Sequence, residues 1–429
     1  MEGKIRLLKS FLLSVCALLF LSNPIQAQST PYYKGALKDN RANEYRNLVN
    51  NIIIQNLSLP LTDSTEENWQ DAFAAMELVQ YKTPWIDNRV HYAFDSIQKR
   101  SIEFQRALLE LCYANYPKDF GLEIDHAIAT IKTEENLAIC IEYLYQLDSF
   151  KIGEGADTAV FNTFIANAMS GKTNPILRQA AYRITNSSNN DNHKAILYLF
   201  KKDFLSKNII VFSFQRKNRD YPGLAIVRDA KGNFIKNNDS SIFYVPQLAR
   251  SLSNLPSYLT NGNTPQGIFR MDGFAVSGGS YIGPTENIQL TMPYETSIRH
   301  FLNNPKISDT TWTIDLYKKL LPSALQDSMC LYETYYAGEA GRGDIIAHGS
   351  TINPQYYKYK PYYPITPTEG CLCTEEIWST INGRRVESDQ QLLVDAVKKA
   401  GGATGYYIVI EIDDAQKPVS MDEILPFIK

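Results

Sequence analysis

The chain has 429 residues, of which 44% are hydrophobic and 21% charged, and its formal net charge is -3 at pH 7. These values are typical of a folded protein with enough material for two or three hydrophobic cores, and they exclude a disordered tail or a small disulfide-stapled domain. Because the charge is slightly negative, no overall positive field would draw the protein to nucleic acid or anionic lipid. We therefore expect no nucleic-acid partner.

Residues 1–27 have the pattern of an export signal. Lysine and arginine lie near the start, an apolar stretch runs from Phe11 to Leu21, and a small-residue cleavage site ends at Ala27. The apolar stretch is too short to span a membrane comfortably, and no later stretch approaches the length of a spanning helix. The pattern predicts an exported protein of the periplasm or cell envelope, with no integral membrane segment once the signal is removed.

From Asn43 to Phe204, apolar residues recur at spacings of three and four, which is the pattern of amphipathic helices. Segments 72–78 and 105–111 are similar to each other at an offset of 33 residues. This similarity favours a repeat of helical pairs, with an irregular helical bundle as an equal alternative. We predict an all-α, repeat-like domain over residues 28–205, which would bind a protein partner or target the protein and perform no chemistry.

The pattern changes near Asn208 to short strand-like runs separated by turns. The predicted elements are, in chain order, strands over 209–214 and 224–227, a hairpin turn over 229–233, helices near 296–302 and 388–399, and a buried strand over 406–412. The predicted fold class is therefore α+β and multidomain. A mainly β domain over residues 206–429 follows the helical one.

Five cysteines remain after the predicted signal, namely Cys112, Cys140, Cys330, Cys371 and Cys373. An odd number in an oxidising compartment leaves at least one thiol without an intramolecular partner. Cys112 and Cys140 lie in apolar helical patterns, where cysteine acts as a small buried hydrophobe. A reactive thiol is therefore expected in the second half of the chain.

One histidine and one cysteine of the second half lie in turns that suit catalysis. His348 ends a strand-like run and precedes Gly349, whereas His300 has the setting of a helix-surface residue. Gly370 directly precedes Cys371, so the backbone can turn tightly, the sulfur can project into a cleft, and neighbouring amides can converge on an oxyanion. A histidine that accepts the thiol proton converts such a cysteine into a nucleophile.

Three segments of the second half resemble the YkuD-type L,D-transpeptidases of bacterial cell walls. These segments are His348-Gly349, Thr368-Glu369-Gly370-Cys371-Leu372, and the upstream Thr264-Pro265-Gln266-Gly267-Ile268-Phe269. The resemblance covers residues 209–415 and leaves the helical half unassigned. It implies a cysteine acyltransferase that acts on peptidoglycan stem peptides without a cofactor or a metal.

The resemblance also assigns roles to individual residues. Cys371 would be the nucleophile, with His348 as its base. The active-site loop and the oxyanion site would be formed by Gly370, Thr368, Gly349 and Ser350.

Two features depart from the family pattern. The histidine and the cysteine are 23 residues apart, which is several more than usual, although added loop length costs little closure entropy. Cys373 occupies the position of the arginine that supports the active-site loop in the family, and Arg342, Arg384 or Arg385 are candidates to replace it. Cys373 itself is either a small buried filler or a thiol that forms a reversible disulfide with Cys371.

Other interpretations stay open. Residues 355–364 interleave tyrosine with lysine, which is typical either of rings packed on the β domain or of the wall of a ligand cleft. A metal site at Cys371-Leu372-Cys373 has thin support, because it would need further ligands at tetrahedral spacing. If water resolved the acyl-enzyme, the protein would be an L,D-carboxypeptidase. If the missing arginine had removed activity, it would be a cell-wall binding scaffold.

Overall fold

The computed structural model describes residues 30–147, 174–185 and 192–428. The predicted export signal over residues 1–27 lies outside the described residues, so its cleavage stays a prediction. Within the described ranges, no helix combines the length and the apolar character needed to cross a membrane.

The described part of the first half is helical, as the apolar spacing predicts. Several helices begin at a hydroxyl residue whose side chain accepts a backbone hydrogen bond from the first turn, as Thr83, Ser101 and Thr133 do. The helices are, in chain order, α1 Lys38–Arg46, which continues through the π-helical stretch Asn47–Gln55 into α2 Asn56–Ser58, then α3 Glu66–Val79, α4 Pro84–Phe94, α5 Ile102–Asn115, α6 Gly121–Ile128, α7 Glu134–Gln146, α8 Pro175–Thr185 and α9 His193–Leu199.

The two similar segments lie on neighbouring helices. Segment 72–78 belongs to α3 and segment 105–111 to α5, and these two helices pack against each other. The ring of Phe73 meets that of Phe104 edge-on, with centroids 5.6 Å apart. Helix α5 in turn packs against α7. The sequence similarity therefore marks two helices that pack against each other, with α4 between them in the chain.

The second half is built on a sheet of eight strands in the order β3-β2-β1-β10-β4-β5-β6-β7. The pairs β1/β10 and β6/β7 are parallel, and the other neighbours are antiparallel. The strands are β1 Ile209–Arg216, β2 Gly223–Arg228, β3 Tyr244–Gln247, β4 Gly267–Ala275, β5 Asn287–Thr291, β6 Ile346–Gly349, β7 Leu372–Thr374 and β10 Thr404–Asp413, with a separate hairpin of β8 Glu376–Trp378 and β9 Arg385–Ser388.

Helices also interrupt the second half, and the two predicted near residues 296–302 and 388–399 are confirmed as α10 and α13. Ser388 begins α13 by accepting a hydrogen bond from the Gln391 amide at 2.9 Å. These helices are α10 Ile298–Phe301, α11 Ile314–Lys318, α12 Glu333–Glu339, α13 Asp389–Ala400 and α14 Met421–Ile424. The coarse prediction of a mixed α+β chain, helical first and then mainly β, therefore agrees with the structure.

The sheet is nearly closed into a barrel. Leu248, just after β3, and Cys373 in β7 exchange two backbone hydrogen bonds, each of 2.8 Å. These two residues belong to the opposite edges of the sheet, so their pairing leaves little free edge at this point. Strand β7 is thus held by β6 on one side and by the end of β3 on the other.

Alternation along β6 and β7 divides their side chains between two faces. Ala347 and Leu372 are paired and belong to the core beneath α13. His348 and Cys373 are also paired and therefore point to the opposite face. Cys373 is fully buried there, in a core made mostly of residues from the helical half. This is the packing expected of a small buried filler.

The tyrosine-rich segment between His348 and Cys371 joins the two halves of the chain. Tyr357 and Tyr362 are fully buried in the helical core, and the Tyr357 hydroxyl donates to the Leu78 carbonyl at 2.7 Å. Tyr359, by contrast, is 92% exposed. The two buried rings serve packing, against the helical half and not only against the β domain. The hydrophobic core therefore extends across the predicted boundary at residue 205.

Candidate active site

The three sequence segments that carry the resemblance lie together. Strand β6, which contains His348, runs parallel to β7, which begins directly after Cys371. The hydroxyl of Thr264 donates to the carbonyl of Gly370 at 2.9 Å, although the two residues are 106 positions apart. Residues from three distant parts of the chain thus form one site.

A glycine is required directly before the candidate nucleophile. Gly370 has a φ of +111°, which side-chain-bearing residues rarely adopt. A Cβ atom here would also collide with the guanidinium of Arg342 and with the carbonyl of Gly262. The tight turn that positions Cys371 therefore depends on glycine for both conformation and space.

Arg342 fastens this turn to the neighbouring loop. Its buried guanidinium donates to the carbonyls of Ser257, of Asn263 at 2.6 Å and of Gly262 at 2.5 Å, with a longer bond of 3.4 Å to Gly370. Burial lowers the pKa of Arg342 to about 10, so the side chain stays charged at neutral pH. One cation therefore holds four carbonyl groups around the site.

Of the three candidate arginines, Arg342 is the one in contact with the active-site loop. Arg384 donates to the carbonyl of Thr30 at 2.7 Å, and Arg385 donates to the hydroxyl of Thr285 at 2.7 Å. Both partners lie outside the loop that precedes Cys371. Of these three arginines, Arg342 is therefore the one that holds the loop before Cys371.

Thr368 organises the loop and determines which amide is free. Its hydroxyl accepts from the Gly370 amide at 3.1 Å and donates to the Cys371 carbonyl at 2.9 Å. The Gly370 amide already has a partner, so it is not a ready oxyanion donor. Within the described ranges, the Cys371 amide has no acceptor. The donor open to an oxyanion at this turn is therefore the amide of the cysteine itself.

His348 is held as a neutral base. Only 3% of the residue is exposed, and Nδ1 donates to the Gly349 carbonyl at 2.6 Å. This hydrogen bond assigns the proton to Nδ1 and leaves the lone pair on Nε2. Burial lowers the pKa of His348 to about 4, so the imidazole is uncharged at neutral pH.

Cys371 is partly buried and rests as a thiol. Its sulfur accepts from the Ile346 amide at 3.5 Å and donates to the Asp344 carbonyl at 3.8 Å. Burial raises the pKa of Cys371 to about 11. In the part of the chain that the structure describes, no hydrogen bond joins this sulfur to His348. The resting pair is thus neutral, and proton transfer requires the two groups to approach, as often happens when substrate binds.

Gly349 and Ser350 support the end of β6. A Cβ atom on Gly349 would collide with the carboxylate of Glu376, whose side chain is buried. The Ser350 hydroxyl accepts from the Ile352 amide at 3.1 Å, and its carbonyl accepts from Trp378 at 3.2 Å. Ser350 therefore fixes the turn after His348. Glu376 was not found by sequence reasoning, because an acidic residue after a short strand carries no distinctive signal.

Comparisons with known proteins identify no relative of this chain. No protein-family model matches the chain, and neither the curated proteins nor the solved structures contain a significant match. The function is therefore inferred from the geometry of the site itself.

The buried histidine gives a testable dependence of stability on pH. An ordinary histidine titrates near 6.5 when unfolded, whereas His348 titrates at about 4 when folded, so the unfolded state binds more protons between these values. Stability should fall as the pH drops from 6.5 to 4, by up to about 3 kcal/mol. His348→Gln should lose this part of the pH dependence, as measured by urea unfolding at pH 7 and pH 4.5.

The matched control is His126→Gln, because His126 is an exposed residue of α6. This control should keep the dependence of the unmodified protein. If both variants and the unmodified protein showed the same change in unfolding free energy, the neutral, buried state of His348 would be refuted.

Proposed function

We propose that the protein is an exported L,D-transpeptidase that cross-links peptidoglycan stem peptides through a thioester at Cys371. The observation that carries this proposal is the meeting of three distant segments at one turn. His348 lies on β6, Cys371 directly precedes the neighbouring parallel strand β7, and the Thr264 hydroxyl donates to the carbonyl of Gly370. In this proposal, residues 206–429 form the catalytic domain.

The first half of the reaction forms the acyl-enzyme. Nε2 of His348 takes the thiol proton while the sulfur of Cys371 attacks the carbonyl carbon of the third stem residue. The Cys371 amide donates to the developing oxyanion. Collapse breaks the bond to the terminal D-alanine, and His348 returns the proton to the departing amine. The resting imidazole and thiol are both neutral, so the route starts from neutral groups and not from a preformed ion pair.

The second half of the reaction resolves the thioester. An amine of a second stem peptide attacks the thioester carbon, and the sulfur of Cys371 departs as a thiol after receiving a proton through His348. The new amide bond is the cross-link. If water attacked instead, the product would be a trimmed stem peptide and the enzyme a carboxypeptidase.

The test uses an acyl donor that traps the nucleophile. A carbapenem should add its mass to the protein once, and peptide mapping should place the adduct on Cys371. Cys371→Ser should not acquire this adduct, whereas Cys330→Ser, which removes another partly buried thiol, should acquire it normally.

Product analysis then separates the activities. Incubation with a muropeptide that bears a tetrapeptide stem should yield cross-linked dimers. Trimmed tripeptide alone would favour the carboxypeptidase. The absence of both adduct and product would refute the proposed chemistry in favour of a binding scaffold.

A further inference from the structure

An acidic cleft lies between the helical half and the loop that carries Cys371. It has a volume of about 550 Å³, and its walls come from α3, α5 and α7 on one side and from residues near Leu252, Asn261 and Glu369 on the other. Glu369 lies two residues before Cys371, so their Cα atoms are separated by at most roughly 7 Å. One wall of the cleft is therefore close in the chain to the candidate nucleophile.

The cleft carries a strong excess of negative charge. Among the residues that the structure describes, six carboxylate side chains line it, and Arg106 is the one basic residue of the lining. Arg106 pairs with Glu110 at 2.9 Å and with Glu135 at 2.6 Å, so its single positive charge is shared by two of the six carboxylates. The other four, which include Glu77 and Glu369, have no ion pair within the described ranges. Carboxyl groups without an ion-pair partner suit a cationic ligand.

Glu77 is the group that points most directly to a ligand. It is only 9% exposed, lines the cleft, and has no hydrogen-bond donor among the residues that the structure describes. Burial, with a smaller contribution from nearby Glu110, raises the pKa of Glu77 well above its usual value. A buried carboxylate without a donor is costly, and a ligand that supplies a donor with positive charge removes that cost.

The arrangement of the carboxylates favours an organic cation over a metal ion. A metal requires several ligand atoms close to one point, and in the described ranges the group that meets this requirement is His193, Asp413 and Glu423, outside the cleft. There, Arg216 already neutralises Asp413 and Glu423. The cleft carboxylates are instead spread along a passage between the helices and Glu369, which suits an extended peptide with an ammonium group.

We propose that this cleft binds the amine-bearing side chain of the acyl-acceptor peptide, with Glu77 and Glu369 as the residues that recognise its ammonium group. The inference rests on the proposed function and deepens it, because it gives the helical half a substrate-binding role. The bound ammonium gives one proton to a cleft carboxylate. The neutral amine then attacks the thioester carbon, and its second proton passes through His348 to the sulfur that leaves.

The direct test measures binding to the full-length protein without any acyl donor. The probes are a stem tripeptide with a free lysine side chain and the same peptide acetylated on that amine. We expect the free amine to bind at least about tenfold more tightly, which corresponds to ~1.4 kcal/mol. The combined Glu77→Gln and Glu369→Gln variant should bind both peptides equally. Glu67→Gln, which removes an exposed charge from the same helix α3, should keep the preference.

A second measurement connects the cleft to catalysis. The ratio of cross-linked to hydrolysed product depends on how the acyl-enzyme is resolved and not on how fast it forms. This ratio should fall about tenfold in the double variant, in line with the expected loss of binding. Circular dichroism and the melting temperature would show that the variant is folded.

The possible outcomes separate the two proposals. If the double variant kept the preference for the free amine, or if the unmodified protein had none, the cleft proposal would be overturned. If the preference were as expected but Cys371 formed no acyl-enzyme, the cleft would stand as an amine-binding site and the transpeptidase would be refuted.

Discussion

Replacing Cys371 by alanine is expected to remove acyl transfer completely, and replacing His348 by alanine should lower it by about 10²- to 10⁴-fold. In the proposed reaction, the cysteine supplies the atom that bonds to the substrate, and the histidine supplies the base for a thiol whose pKa burial raises to about 11. Because the two residues act as one unit, the double variant should be little worse than Cys371→Ala. The measurement is cross-linking turnover of a tetrapeptide muropeptide.

The controls test whether the loss is chemical. Melting temperatures should show that both variants fold, since each substitution keeps the hydrogen bonds of the Thr368 hydroxyl with the Gly370 amide and the carbonyl of residue 371. Cys330→Ala removes another partly buried thiol and should keep full turnover. Near-normal activity in Cys371→Ala would mean that the nucleophile is another residue.

Replacing Arg342 by methionine should destabilise the protein by at least about 3 kcal/mol, because buried carbonyls that lose their donors each cost on the order of 1–3 kcal/mol. The guanidinium holds the carbonyls of Ser257, Gly262 and Asn263 together beside Gly370. Turnover should also fall in the fraction that stays folded, since the turn before Cys371 loses its anchor. Urea unfolding and turnover at low temperature would measure the two effects.

Two further variants make this prediction specific. Arg384→Met removes an exposed arginine that bonds to Thr30, so its effect on stability should stay within about 0.5 kcal/mol. Arg342→Lys should recover only part of the loss, because an ammonium group cannot reach acceptors spread around a planar guanidinium. If Arg342→Met matched Arg384→Met in stability and turnover, Arg342 would not be the support of the loop.

The local elements of the fold were accessible from the sequence. The run over 209–214 lies within β1, and the turn over 229–233 forms as expected, with the Asp229 amide donating to the Asn233 carbonyl at 2.8 Å. The strand over 406–412 lies within β10. Each of these strands and turns depends on residues that are neighbours in the sequence. The alternation of apolar side chains and the turn-forming residues can therefore be recognised within a short stretch of sequence.

Long-range pairings were not accessible in this way. Strand β1 pairs in parallel with β10, and the edges of the sheet meet at Leu248 and Cys373, yet no local pattern specifies either partner. The burial of Tyr357 and Tyr362 by the helical half was also missed. An irregular loop has no helical or strand periodicity of apolar residues, so its sequence does not indicate which side chains are buried. Contacts between distant segments depend on the whole topology.

The features of the candidate site also divide into those that a local sequence pattern predicts and those that depend on long-range packing. The order of His348 and Cys371 and the need for a tight glycine turn came from the sequence. The choice among three arginines and the identity of the free amide did not, because each depends on which loop packs beside Gly370. The acidic cleft was also missed, since its carboxylates are drawn from three helices and a distant loop.

The buried tyrosines between His348 and Cys371 have a consequence for how this protein can be altered or recombined. The segment that spaces the two candidate catalytic residues is also the segment that docks α3, through Tyr357 and the Leu78 carbonyl. A chimera that kept the sheet but exchanged the helices would expose these rings to water. The segment between His348 and Cys371 would then lose the packing that holds it in place. A replacement helical domain would therefore need an apolar surface that buries the same two tyrosines.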